Sequence, residues 1–254
     1  MAMHTPGRRF TLVTFLLVFM TLIFTLFLLV RTWVEPVKTQ RVVLASLFKH
    51  NLAYLEPVPI MPLGDSITAG VGSMNGSGYR AALWDDYQAA GYRVDFVGSG
   101  HSGLQGFPQQ HEGHPGWRID QLSAHIVDWL ATYQPHIILL QIGTNDILQH
   151  DDLPQAPARL NNLLERITEQ LPNTLIIVAQ ITPLGNPLLT GEVVAYNRAI
   201  PITVRRLQQE GKHISYVDMY DAVPVKDLRD GIHPNDAGYA LMAAVWYKAT
   251  TQAL

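Results

Sequence analysis

The sequence predicts an α/β protein in which a five-stranded parallel sheet is covered by helices on both faces. From Val58 onward, short apolar runs alternate strictly with helix-length amphipathic segments, which is typical of βα units joined by right-handed crossovers. The runs are apolar enough to be buried on both faces, as strands of parallel sheets are. The 254 residues, 48% of them hydrophobic and 15% charged, are enough to bury a sizeable core. These observations predict a three-layer α/β/α sandwich.

Composition excludes several classes of function. A formal net charge of -3 gives no basic footprint for neutralising phosphates, so we expect no nucleic-acid partner. The chain has no cysteine, which excludes disulfides, thiolate metal sites and a cysteine nucleophile. A nucleophile in this chain would therefore be an oxygen.

The N-terminus predicts a membrane anchor. A short tail, residues 1–9, ends in Arg8 and Arg9, and residues 10–30 then contain no charge, proline or glycine. About 20 apolar residues span a bilayer as a helix. A buried core helix is the alternative, but the unbroken apolar sequence favours a transmembrane helix. No short apolar region with a small-residue cleavage site is present, so we expect the anchor to stay uncleaved.

The linker and the orientation follow from the residues after the anchor. Residues 31–56 have the composition of a linker, and residues 57–254 hold the alternating pattern. Arg31, Lys38 and Arg41 nearly balance the positive charges of the tail, so the charge rule alone does not orient the helix. Because long domains translocate largely regardless of charge, we expect a single-pass protein whose folded domain lies outside the cytoplasm.

The elements of the domain follow in order along the chain. Each predicted strand is a short apolar run, and each predicted helix has an apolar stripe at helical spacing. The strands are predicted at residues 58–63, 93–98, 136–143, 174–181 and 214–219, and the helices at residues 79–90, 119–132, 158–170, 192–209 and 235–250.

Polar side chains follow the first, third and fifth strands. Ligands of parallel sheets bind beyond the carboxyl ends of the strands, and these ends read "GDS" at residues 64–66, "GTND" at 143–146 and "RDGIHPND" at 229–236. Asp65 or Ser66 could be only a helix N-cap, and the other two stretches could be ordinary polar loops. Alternatively, Ser66 is a nucleophile, His233 its base and Asp230 the group that orients the imidazole.

These motifs, in this order, resemble the SGNH hydrolases, also called GDSL esterases. The resemblance implies a flavodoxin-like fold, a Ser66–His233–Asp230 triad and no cofactor. It also implies an oxyanion hole formed by the backbone N–H groups of Ser66 and Gly116 and the side chain of Asn145. Gly113 is the alternative to Gly116, since both lie in "HEGHPGWRIDQL", residues 111–122.

Longer blocks resemble carbohydrate esterase family three, whose members include acetylxylan esterases. They include "GDSITAG", "YRAALWDDYQAAGYRVDFVGS", "IGTND" and "DGIHPNDAGYALMAAVWY", and the resemblance covers roughly residues 59–247. It implies hydrolysis of small acyl esters, such as acetyl esters, on a carbohydrate. The alternatives are a lipid esterase of lysophospholipase or thioesterase type and a catalytically inactive, membrane-tethered binding protein.

The histidine-rich stretch raises the question of a metal. His111, Glu112 and His114 superficially resemble a zincin motif, but the two histidines are three residues apart rather than four, and Pro115 would break a helix there. We therefore expect no metal and a structural role for these side chains. Trp117 is either part of the core or a wall of the substrate pocket, and we predict that it contacts substrate.

Overall fold

The computed structural model describes Leu22, Ile23, Thr25 and residues 56–254. Pro57–Leu254 forms one compact unit. The predicted tail, anchor and linker lie outside the described residues, apart from Leu22, Ile23 and Thr25, which are helical, and Glu56. Within the part of the chain that is described, no helix has the length and apolarity needed to cross a bilayer.

Seven strands and seven α-helices build the domain. The strands are β1 (Val58–Gly64), β2 (Val94–Phe96), β3 (Gly100–His101), β4 (Gln110–Gly113), β5 (Ile137–Gln141), β6 (Leu175–Ala179) and β7 (Ile214–Val217). The helices are α1 (Ser66–Ala69), α2 (Tyr79–Ala89), α3 (Ile119–Tyr133), α4 (Thr144–Leu148), α5 (Ala156–Gln170), α6 (Thr190–Gln209) and α7 (Asp236–Thr250).

The five predicted strands are present and pair in parallel in the order β2-β1-β5-β6-β7. Numbered among themselves, they have the 2-1-3-4-5 order of flavodoxin-like folds. The strand count was wrong, however, because the sheet has seven strands. Strand β2 pairs only with the first half of β1, and β4 pairs in parallel with its end, at Leu63 and Gly64. Strand β3 is antiparallel to β4, which makes the sheet mixed.

Alternate strand residues enter two separate cores. On one face, Met61, Leu63 and Leu140 pack with apolar residues of α3, α5 and α6. On the other, Ile60 and Leu139 pack with apolar residues of α2 and α7. Burial of both faces explains why the strand sequences are continuously apolar, and it confirms the three-layer arrangement.

Two short helices, α1 and α4, are missing from the predicted list of helices, although the N-cap interpretation of Asp65 implied a helix where α1 begins. Each begins directly at the end of a central strand, α1 after β1 and α4 after β5. Four or five residues are too few to show helical periodicity, so only the tertiary structure reveals them. They carry Ser66 and Asn145 at the carboxyl end of the sheet.

Candidate active site

The turn between β1 and α1 brings Ser66 to the edge of the sheet. A Cβ atom on Gly64 would lie 2.1 Å from the carbonyl oxygen of Gln141 and 2.5 Å from the Thr68 hydroxyl, so only glycine fits. Asp65 is the N-cap of α1, and its Oδ1 accepts a hydrogen bond from the Ile67 N–H at 2.9 Å. Ser66 is the first residue of the helix, where a backbone N–H has no acceptor within the helix.

Asp65 is more deeply buried than its neighbour Ser66. It has no exposed surface, whereas Ser66 keeps 8% of its surface exposed. Burial raises the pKa of Asp65 to about 6, and the Ile67 N–H opposes that rise. The N-cap interpretation of Asp65 is confirmed at Oδ1, whereas Oδ2 has no hydrogen-bond partner within residues 56–254.

His233 lies beside Ser66, on the loop that leads into α7. Its Nε2 is 2.9 Å from the Ser66 Oγ, and its Nδ1 is 2.7 Å from Oδ2 of Asp230. Because the carboxylate only accepts, Nδ1 carries the proton and Nε2 can accept from the serine hydroxyl. The three side chains therefore form a continuous hydrogen-bonded chain.

Asp230 is held in its charged form. Burial acts to raise its pKa, but hydrogen bonds from the backbone N–H and ring of His233 and from the Ile232 N–H lower it to about 2. Half of its side chain is exposed, compared with 16% for His233. A carboxylate tied by both backbone and ring fixes the orientation of the imidazole.

Asn145 lies on α4, at the end of β5. Its side chain is 8% exposed, and its Nδ2 donates one hydrogen bond to the carbonyl oxygen of Trp117 at 2.9 Å. An amide nitrogen has two hydrogens, so one remains to donate to another acceptor. Gly143 precedes the helix with φ at +122°, and a Cβ there would lie 2.5 Å from the ring of Tyr196.

Gly113 and Gly116 have different surroundings. The Gly113 N–H donates to Nδ1 of His111 at 2.9 Å, and a Cβ on Gly113 would lie 2.4 Å from the backbone nitrogen of Ala69. Gly113 is therefore needed for the close approach of β4 to α1. Gly116 is exposed, has φ at +82°, and its N–H has no acceptor within residues 56–254. Of the two glycines, Gly116 has the backbone N–H available to a ligand.

The residues of the histidine-rich stretch do not converge on a common point. His111 accepts from Gly113 at Nδ1, and its Nε2 is 2.8 Å from the Ser102 hydroxyl. Burial, with the nearby Arg80 guanidinium, lowers the pKa of His111 to about 3, so the ring is neutral. Glu112 accepts from Ser99 and from Nε2 of His114. Among the described residues no cluster has the arrangement of a metal site.

Asp146 is an internal carboxylate that supports the site. Its Oδ1 accepts from Nε and Nη2 of Arg159, at 3.2 and 2.8 Å, and its Oδ2 accepts from the Ile119 N–H. Asp146 thus caps α3, which follows "HPGW", rather than its own helix. Burial raises its pKa, and the Arg159 hydrogen bonds oppose the rise.

Arg80 was missed from the sequence. Its side chain is fully buried, and its guanidinium donates to the backbone carbonyls of five residues and to one hydroxyl, at 2.7 to 3.2 Å. The carbonyls belong to Thr68, Ala69, Gly76, Ser102 and Gln109, and the hydroxyl to Ser102. These contacts hold α1 against the loops around it. The sequence did indicate that Arg80 is buried, because Arg80 lies on the same face of its helix as the buried Leu83 and Tyr87.

Trp117 is half-buried and lies at the border of the site. Its indole packs against the core and stacks on the ring of His114, with centroids 4.3 Å apart. Its carbonyl receives the hydrogen bond from Asn145. The position fits both the core and the pocket-wall interpretations of this residue.

Comparison with known proteins gives consistent matches. Residues 63–241 match the GDSL-like lipase/acylhydrolase family. A multidomain esterase of Ruminococcus flavefaciens is 33% identical over an alignment of 218 residues, and the match covers 74% of this chain and 28% of that protein. The chain therefore spans only about a quarter of that relative.

Solved structures of similar proteins match more than three quarters of this chain. A family 3 carbohydrate esterase of Clostridium thermocellum is 35% identical, with a TM-score of 0.71, over 78% of this chain and 97% of that one. A carbohydrate esterase family 3 protein of Talaromyces cellulolyticus is 27% identical, with a TM-score of 0.65, over 77% and 97% of the two chains.

Proposed function

Because the chain belongs to the GDSL-like lipase/acylhydrolase family, as its motifs predict, we propose that it is a serine esterase that removes small acyl groups from a carbohydrate. The hydrogen-bonded chain from Ser66 through His233 to Asp230, with links of 2.9 and 2.7 Å, carries the proposal. A hydroxyl in contact with an oriented imidazole is the arrangement that activates serine as a nucleophile. No cofactor is needed for this chemistry.

Acylation begins at Ser66. Its Oγ attacks the ester carbonyl carbon while Nε2 of His233 takes the hydroxyl proton, and Asp230 stabilises the imidazolium that forms. The tetrahedral intermediate then collapses, and the bond to the alcohol breaks as His233 gives the proton to the leaving oxygen. The alcohol departs and Ser66 carries the acyl group.

Deacylation repeats these steps with water. His233 removes a proton from a water molecule as the water oxygen attacks the acyl carbon, and the proton passes to Ser66 Oγ as the carboxylic acid leaves. The same imidazole therefore serves as base and then as acid in each half of the reaction.

Three donors stabilise the oxyanion in this mechanism. They are the backbone N–H groups of Ser66 and Gly116 and the second amide hydrogen of Asn145. The Ser66 N–H is at the start of α1, the Gly116 N–H has no acceptor within residues 56–254, and Asn145 is fixed by its bond to Trp117. Donors fixed before the reaction cost little reorganisation when charge develops.

Two observations support a small acyl group on a sugar. The Clostridium thermocellum relative is a family 3 carbohydrate esterase. The segments at the strand ends, residues 64–78, 98–117 and 143–155, consist mostly of glycine, polar and histidine residues. Such segments offer hydrogen bonds to sugar hydroxyls and little extended apolar wall for an acyl chain.

Chain-length preference tests this assignment. We expect kcat/KM to fall steeply from acetyl to butyryl to octanoyl p-nitrophenyl esters. Polar walls offer no apolar surface against which the methylene groups of a longer acyl chain can pack. We also expect acetate release from an acetylated saccharide. A preference for octanoyl esters, or fatty-acid release from phospholipid vesicles without deacetylation of any sugar, would favour the lipid-esterase alternative. Absence of turnover on every ester would favour the inactive binding protein.

We further propose that residues 10–30 anchor the enzyme in a membrane, with the hydrolase domain outside the cytoplasm. The apolar length of this segment supports the anchor. We expect the protein to remain in the membrane pellet at high salt and alkaline pH, and protease added to intact spheroplasts to digest the domain. Digestion only after lysis would show that the domain faces the cytoplasm. Release of the protein into the supernatant would contradict the proposed anchor.

A further inference from the structure

Two of the three proposed oxyanion donors lie on separate stretches of the chain. The Asn145 amide is on α4, and the Gly116 N–H is on residues 116–119, which lead into α3 and which we call the glycine segment. Nδ2 of Asn145 donates to the carbonyl of Trp117 at 2.9 Å. Nε2 of Gln149, the C-cap residue of α4, donates to the carbonyl of Gly116 at 2.9 Å. Because the two donors are on different elements, side-chain contacts set the distance between them.

Asp146 provides a third, buried link between α4 and the glycine segment. It follows Asn145 directly, and its side chain has no exposed surface. Its Oδ2 accepts a hydrogen bond from the N–H of Ile119 at 3.1 Å. Ile119 is the first residue of α3, where a helix offers no acceptor for a backbone N–H. Two neighbouring residues of α4 therefore hold the middle and the end of the glycine segment.

Arg159 fixes the position of the Asp146 carboxylate. Nη2 and Nε of Arg159 donate to Oδ1 of Asp146 at 2.8 and 3.2 Å, which leaves Oδ2 for Ile119. Arg159 is held in turn by the carboxylate of Asp151 at 3.2 Å and by the carbonyl of Asp152 at 3.3 Å. Two charge-assisted hydrogen bonds to one carboxylate oxygen restrict where that oxygen can lie. The position of the Ile119 N–H is therefore controlled from α5.

Fold stability alone does not call for this ion pair. Burying charges costs solvation free energy, so a well-packed apolar pair of similar volume often gives equal or greater stability. The Asp146 side chain is fully buried and that of Arg159 is 19% exposed, so the cost falls mainly on the carboxylate. An apolar pair could not, however, supply a fixed hydrogen-bond acceptor for Ile119.

We infer that the Asp146–Arg159 ion pair is a positioning pair for the oxyanion hole, an inference that rests on the proposed function. The pair sets where the glycine segment, and with it the Gly116 N–H, lies relative to the Asn145 amide. A hydrogen bond weakens steeply as its geometry departs from the optimum, and a displacement of about 1 Å can cost about 10² in rate. A misplaced donor fails chiefly when the oxyanion forms, so the pair affects kcat more than KM.

A variant that lacks both charges separates positioning from stability. In the full-length Asp146→Leu/Arg159→Met protein, apolar side chains replace the ion pair, and thermal unfolding should show a folded protein. We expect kcat for p-nitrophenyl acetate to fall about 10²-fold while KM changes less than about twofold. Asp146→Asn keeps an oxygen that can accept from Ile119, so it should lose only about tenfold, and it remains informative if the double variant unfolds. The control is Glu165→Gln, at an ion pair of α5 with Arg206, which should leave kcat within about twofold.

Replacing the carbonyl oxygen of the substrate by sulfur tests the oxyanion hole itself. Sulfur is a weak hydrogen-bond acceptor, so p-nitrophenyl thionoacetate gains little from the donors and the wild type should favour the oxygen ester. Loss of positioning should lower the ratio of the two kcat/KM values about tenfold. Loss of folded protein lowers both values equally and leaves the ratio unchanged. A lower ratio in folded Asp146→Leu/Arg159→Met or Asp146→Asn protein supports the inference.

Turnover by the wild type separates this inference from the proposed function. If the wild type hydrolyses p-nitrophenyl acetate and the folded variants keep its oxygen-to-sulfur ratio, the pair has only a structural role and the inference is overturned, while the esterase stands. If the ratio falls in the variants but the wild type releases no acetate from an acetylated saccharide, the positioning pair stands and the proposed substrate fails. Absence of wild-type turnover on every ester overturns both.

Discussion

Ser66→Ala is expected to lower kcat for p-nitrophenyl acetate by roughly 10⁴-fold or more, because members of a triad act as a unit. His233→Ala should cause a similar loss. The double variant should be little worse than either single variant, since removing the nucleophile already removes the role of the base. Steady-state kinetics on the full-length proteins measure these losses.

The control is Ser123→Ala, which removes a hydroxyl from α3 and should leave kcat within about twofold, as is usual for surface changes away from a site. Thermal unfolding should show that the Ser66 variant folds, because among the described residues the Ser66 Oγ bonds only to the imidazole of His233. Near-normal turnover in a folded Ser66→Ala or His233→Ala protein would contradict the triad.

Asn145→Ala is expected to lower kcat by about 10²- to 10³-fold with little change in KM. The amide would donate to an oxygen that becomes fully charged only in the transition state, so its loss raises the barrier more than it weakens substrate binding. Comparing kcat and KM for acetyl esters measures the effect. Asn161→Ala, at a polar contact with Glu165 on α5, is the matched control.

The structural effect of Asn145→Ala has to be separated from its effect on the transition state. Asn145 also bonds to the carbonyl of Trp117, so its replacement can disturb the segment that carries Gly116. Urea unfolding of the variant measures that loss, about 1 kcal/mol for one hydrogen bond. A rise in KM at unchanged kcat would show that Asn145 binds the ground state of the substrate, and would remove it from the oxyanion hole.

Most of the sheet could be predicted from the sequence because its strands are buried on both faces. The runs that became β1, β5 and β6 are continuously apolar, and this signal is local. Strand β4 has the sequence "QHEG", which shows no apolar alternation. Strand β2 ends at Phe96, so on the side away from β5 the last residues of β1 are free to pair with β4. That pairing depends on the tertiary structure and has no local sequence signal.

In the site, too, residues in local motifs could be predicted and contacts between distant elements could not. Ser66, Asn145, Asp230 and His233 follow strand ends in short motifs, so their placement at one edge of the sheet could be predicted. The network behind them could not. Arg80 contacts backbone atoms of residues up to 29 positions away, and backbone carbonyls have no sequence signature. The partners of Asp146 likewise depend on packing between elements.

The buried Arg80 has a consequence for how this protein can diverge in sequence. Its acceptors, apart from one hydroxyl, belong to the main chain, and the main chain is the same whatever side chains those positions carry. Substitutions at Thr68 or Gln109 therefore leave the acceptors for Arg80 in place. The loops around Ser66 can acquire new side chains, and so new ligand contacts, while the hydrogen bonds that position Ser66 are kept.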